Sequence, residues 1–209
     1  MNKCSFHSVY TVPGVIILIF VFFFTGIDSA FAQEISDHLE AFNTKRISIN
    51  KTGMVVLSGW AAANIAGSSY GYFKTGGSVK YFHQMNVAWN VVNLGIGLYA
   101  WQSLAGQNPA AFSLAESLSE GQSIENILLL NIGLDLGYVA LGGYLRERGL
   151  RKNSTRLQGY GPSLMLQGGF LLALDIALYV FNGRNNQQIM ELLEHVRFTG
   201  HQLSLHIPL

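Results

Sequence analysis

"FHQMNVAWNVVNLGIGLYAW", residues Phe82 to Trp101, is apolar enough to sit in a membrane, yet it carries His83, Gln84, Asn86, Asn90 and Asn93. Hydrocarbon cannot hydrate amides, so each one needs a protein partner. At helical spacing His83, Asn86, Asn90, Asn93 and Gly97 fall on one stripe, with Gln84 beside it. The stripe is read as facing other helices rather than lipid.

The rest of the chain supports a bilayer as its solvent. Of 209 residues, 49% are hydrophobic and only 12% are charged, against about 25% charged in soluble domains. A net charge of +1 provides no field for nucleic acid. The single cysteine, Cys4, excludes an intramolecular disulfide and a thiolate metal cluster. Residues 1–32 read as a signal peptide: Lys3 in the n-region, "VIILIFVFFF" (Val15 to Phe24) as the h-region, and Ala30 and Ala32 before a cleavage point at Gln33. An uncleaved anchor is the alternative, and either leaves Gln33 outside the cytoplasm.

Four further apolar stretches each match a bilayer crossing: Gly53 to Phe73, Phe82 to Leu104, Glu125 to Leu145 and Pro162 to Asn182. Pro162 suits a first helical turn. A water-soluble bundle is disfavoured because these helices lack a charged face. The segment between the first two spans holds Lys74 and Lys80, and the one between the last two holds Arg146, Arg148, Arg151, Lys152 and Arg156 against Glu147. Between the second and third lie Glu116 and Glu120, with Glu125 at the boundary. Basic residues concentrate in cytoplasmic loops. Loops 74–81 and 146–161 are therefore expected inside, and both mature termini outside. Residues 33–52 and 183–209 flank this domain on the outer side. In the first, Asp37 and Glu40 have capping-box spacing; in the second, "QQIMELLEHVRF" has a helical apolar face and "QLSLHIPL" alternates like a strand.

Each span contains a polar residue followed by a large and a small apolar one: Asn64-Ile65-Ala66, Asn93-Leu94-Gly95, Asp135-Leu136-Gly137 and Asp175-Ile176-Ala177. At 1.5 Å per residue, all four polar groups lie roughly 15–20 Å into a layer about 30 Å thick. Asn131 and Asp135 share a stripe in the third span, and Gln167 accompanies Asp175 in the fourth. Asparagines alone are common interhelical glue. Aspartate at a helix centre costs about 2.5–3.5 kcal/mol on insertion scales, and buried ionisable groups in membranes mark proton, ion or ligand paths. Asp135 and Asp175 are thus expected to share one proton or hold one monovalent cation. Asn64, Asn90, Asn93, Asn131 and Gln167 would act as neutral ligands, and His83 and Asn86 as interfacial polar groups. A small polar solute is a third occupant of the same site. A scaffold whose polar residues only fix helix packing is the alternative of another class, and it alone should accept Asp→Asn.

No zinc-protease, serine-hydrolase, phosphate-loop or dinucleotide motif occurs, so no enzyme, cofactor or catalytic residue is expected. The spacing of His195, His201 and His206 gives a metal site no support. At "GWAAANI", "YFHQMNVAWNVVNLGIG", "LNIGLDLGYVALGGYLRERG" and "GYGPSLMLQGGFLLALD" the chain resembles a bacterial, Bacteroidota-type family of small membrane proteins known only as a domain of unknown function. The resemblance spans about Arg46 to Asn182 and implies an inner-membrane address. The fold expected is all-α: a polytopic four-transmembrane-helix bundle after a signal peptide, in lipid, and open to homo-oligomer formation.

Overall fold

The computed structural model describes the backbone of residues 12–199 and 202–205 and the side chains of residues 33–191. The fold is all-α with four long helices: α1 (Val12–Lys74), α2 (Gly77–Ala105), α3 (Leu114–Arg151) and α4 (Thr155–His195). A short 3-10 turn, Pro109–Ala111, joins α2 to α3, and β1 (Val196–Thr199) pairs antiparallel with β2 (Gln202–Leu205).

The helix ends follow from local chemistry. Gly77 takes φ +57° at the α1–α2 turn, a conformation that glycine adopts without strain. Asn153 takes φ 50° at the α3–α4 turn, where asparagine is the usual non-glycine choice. Ser113 starts α3 with a capping box: its hydroxyl accepts from the Glu116 N–H, and Glu116 accepts from the Ser113 N–H at 2.9 Å.

Three local expectations change. Residues 33–52 contain no glycine or proline, and α1 runs through them without a break. Asp37 is therefore interior to a helix and accepts from Gln33 Nε2 at 2.8 Å instead of capping. Pro162 also lies inside its helix, because α4 already begins at Thr155. The helical reading of "QQIMELLEHVRF" ends at His195, where β1 begins; Leu203 and Leu205 fall in β2, as the alternation suggested. Residues 1–11, including Lys3 and Cys4, lie outside the described residues, as do His201, His206 and Ile207. Residues 12–32 continue α1.

Successive helices run in opposite directions, and α4 is central, packing on α3, α2 and α1, while α1 also packs on α2. The Tyr81 and Tyr160 rings meet edge-on at 6.1 Å, and the Tyr160 hydroxyl donates to Gln84 Oε1 at 3.3 Å. Those contacts put the α1–α2 and α3–α4 turns, with their lysines and arginines, at one end of the bundle.

Burial is inverted relative to a water-soluble bundle. Asn90 and Gln167 are wholly buried, while Phe73 is 83% and Leu130 63% exposed. The buried apolar set is short, Leu57, Ala61, Leu128, Leu164 and Leu178 at its middle. By length and composition α3 and α4 are long and apolar enough to cross a membrane. The amides of α2 and the serines and glycines of α1 dilute the same signal there.

Candidate functional site

Glycine brings the helices close enough for short side chains to bridge them. A Cβ on Gly161 would stand 2.6 Å from the Gly142 carbonyl oxygen, and one on Gly149 2.6 Å from the Gln158 nitrogen, so α3 and α4 touch backbone to backbone. A Cβ on Gly159 would meet the Phe82 nitrogen of α2 at 2.7 Å, and one on Gly168 the Asp135 carbonyl at 3.1 Å. This is the small-residue packing that membrane helices favour.

Three helices then meet through one amide network. Trp60 Nε1 donates to Gln167 Oε1 at 2.9 Å, and Gln167 Nε2 donates in turn to Asn86 Oδ1. Asn86 Nδ2 donates to Asn64 Oδ1 at 2.8 Å and to Ser68 Oγ at 2.7 Å. Asn64 and Asn90 each donate back to their own helix, to the carbonyls of Trp60 and Asn86. Trp60 stacks flat on Phe170, centroids 4.1 Å apart, which fixes the indole that feeds the network. Asn86, expected at an interface, is instead its hub and 2% exposed.

The acids form a separate centre. Asp135 is buried and Asp175 half-buried, and their carboxyl groups are close enough to share a hydrogen bond. Asp135 Oδ2 is buried without a hydrogen-bond partner. Asp175 lies eight residues past Gln167 on α4, about 12 Å along the axis. Asp135 itself lies beside Gly168, the neighbour of Gln167, so the acid pair begins next to the amide network and reaches away from it along α4. Asn93 Nδ2 and Asn90 Oδ1 are buried and unpartnered, as is Trp89 Nε1, whose ring packs edge-on against Tyr138 at 4.9 Å. Asn131 is half-buried and outside both sets of bonds. His83 sits against Gly71 near the basic end, with Nδ1 buried and unpartnered.

A further polar layer at the opposite end went unread in the sequence. Asn50 and Asn182 exchange hydrogen bonds at 3.0 and 3.4 Å, and Asn185 donates to the Phe42 carbonyl at 3.2 Å. Asn43 donates to Ser117 Oγ at 2.8 Å and accepts from Arg46 Nη2 at 3.2 Å. Arg46 is 1% exposed, lies 4.9 Å from the Phe112 ring centre, and stands 3.5 Å from Glu120. Burial pushes its guanidinium below the usual arginine range, and Glu120 offsets part of that. Asn43, Arg46 and Asn50 have the same three- and four-residue spacing as the α2 stripe, and that was the available signal.

The sequence profile of a family of unknown function (DUF6992) matches residues 56–176, more than half of the chain. The chain belongs to this family. The match covers the amide network and the acid pair and stops short of Arg46 and Asn182. No curated protein and no solved structure matches the chain.

Proposed function

We propose that this DUF6992 member is a four-span inner-membrane protein that binds a proton at the Asp135–Asp175 pair, midway through the bundle. The observation that carries the reading is the pair itself, two carboxyl groups within hydrogen-bond reach beneath an apolar exterior. Two carboxylates that close cannot both stay ionised without a counter-ion, and one proton between them satisfies both. Asp135 Oδ2 is buried and receives no hydrogen bond, which leaves that oxygen in need of a proton.

The wider setting is consistent with that reading. Seven basic residues, Lys74, Lys80, Arg146, Arg148, Arg151, Lys152 and Arg156, gather near one end, which the positive-inside rule makes cytoplasmic. Residues 33–52 then stand outside as part of α1, and residues 1–32 serve as the signal peptide. A specific observation favours a second reading, a packing scaffold. The Trp60–Gln167–Asn86–Asn64 network joins α1, α2 and α4 through hydrogen bonds made within the chain, which is what helix packing alone would require.

Thermal unfolding of the full chain in detergent separates the two, run across pH and with Na⁺, K⁺, Li⁺ and Ca²⁺ salts, beside Asp135→Asn and Asp175→Asn. Proton binding predicts a pH-dependent midpoint in the wild type that flattens in both variants, whatever the salt. A midpoint that follows one cation would replace the proton with that ion; at 100 times its dissociation constant a ligand adds about 2.7 kcal/mol. Flat responses with equally stable variants would leave the scaffold.

A further inference from the structure

The outer half of the bundle carries a groove between α1 and α4 of about 980 Å³, at the upper end of the ~300–1,000 Å³ typical of ligand sites. Its polarity changes along its length. The inner part is walled by Val56, Leu174, Leu178 and Phe181, and the outer part by Asp37, Glu40 and Lys45. Between them Thr44, Ser48 and Thr52 present hydroxyls. Gly53 makes the floor possible, because a Cβ there would press into Leu178 at 2.7 Å.

The charged end has unused capacity. Glu40 has no hydrogen-bond or ion-pair partner among the described residues. Lys45 Nζ donates to Gln188 Oε1 at 3.0 Å, one bond of the three an ammonium can make. Two carboxylates beside one ammonium complement a head group with one positive and one negative charge.

We propose that the groove binds an ethanolamine-headed phospholipid from the outer leaflet. Its ammonium meets Asp37 and Glu40, its phosphate meets Lys45, and one acyl chain lies along Val56, Leu178 and Phe181. The proposal rests on the membrane reading given above, since that reading places Gly53 at the outer boundary and the apolar part of the groove inside the bilayer. Apolar surface alone would not single out this groove, because most of the bundle's exterior is apolar. A concave apolar wall continued by a zwitterion-matching mouth does.

The test uses the full chain in detergent, equilibrated with equal parts of ethanolamine- and glycerol-headed phospholipids carrying identical acyl chains, with bound lipid counted by native mass spectrometry. The ethanolamine lipid should be retained about fivefold more, the ratio that one exposed ion pair provides. Asp37→Asn with Glu40→Gln should bring the ratio to parity while a lipid stays bound. Val56→Trp, at a half-exposed position in the groove wall, should strip the retained lipid, and Leu98→Trp on the exposed face of α2 should not. Equal retention of both lipids, or Val56→Trp binding as much as wild type, would overturn the proposal; a groove filled by the chain's own C-terminal tail would give that second result. Membrane pelleting without detergent keeps the two readings apart. A chain that stays in the supernatant defeats the membrane reading, and one that pellets yet shows no lipid preference defeats the groove alone.

Discussion

Asn86 is where a single side chain holds most. It accepts from Gln167 and donates to Asn64 and Ser68, so its loss strands two buried groups, on Gln167 and Ser68, and a half-buried one on Asn64. An unsatisfied buried donor or acceptor costs about 1–3 kcal/mol, less where lipid-phase unfolding lets it re-pair. Asn86→Ala should therefore lower unfolding stability in detergent by about 1–3 kcal/mol, while Asn131→Ala, half-buried and unbonded, should stay within about 0.5 kcal/mol of wild type. The sequence showed both as amides on inward stripes and could not rank them. The ranking depends on which residue of α2 faces which of α1, and that register is set by Gly97 against Ser58 and Gly71 against His83 rather than by any residue's own propensity.

At the scale of elements, the α3–α4 seam and the start of α3 make separate predictions. Gly161→Val places a branched side chain against the Gly142 carbonyl and the Arg146 nitrogen at 2.6 Å. It should cost at least about 1–3 kcal/mol by overpacking. Gly169→Ala, with nothing within 4 Å, should be neutral or stabilise by up to about 1 kcal/mol through helix propensity. The α3 cap carries a pH dependence. Hydrogen bonds from the Ser113 hydroxyl and then its backbone N–H hold the Glu116 carboxyl below its ordinary 4.5. A depressed folded value stabilises fully above 4.5 and is lost as pH falls through the lower folded value. Acid titration followed by amide exchange at residues 114–118 should show the end of α3 opening below that range, and Glu116→Gln should remove the transition. Helix number, the polar stripe of α2 and the two basic turns were legible from periodicity and charge. The reach of α1 through residues 33–52 was not, because a span ends in sequence where hydropathy falls, and nothing there stops the backbone. The buried Arg46 layer was missed for the same reason: it belongs to the part of the bundle beyond the apolar stretches.

At the scale of the molecule, an exterior of Phe73, Tyr99 and Leu130 around a core of Asn86, Asn90 and Gln167 supports the proposed membrane setting, with lipid outside and hydrogen bonds inside. Two single-cysteine variants in a Cys4→Ser background would report the topology. Asn108→Cys, in the α2–α3 connection, should react with an impermeant thiol reagent on intact spheroplasts, and Ser154→Cys, in the α3–α4 turn, only after lysis. Within that frame the acid pair is a feature that helix packing does not require, since an amide network already joins α1, α2 and α4. Infrared spectroscopy of the full chain in lipid at neutral pH, compared with the Asp135→Asn, Asp175→Asn double variant, tests it most directly. A protonated-carboxyl stretching band that shifts in heavy water and vanishes in the double variant is the predicted result. Superimposable spectra would contradict proton binding at the pair.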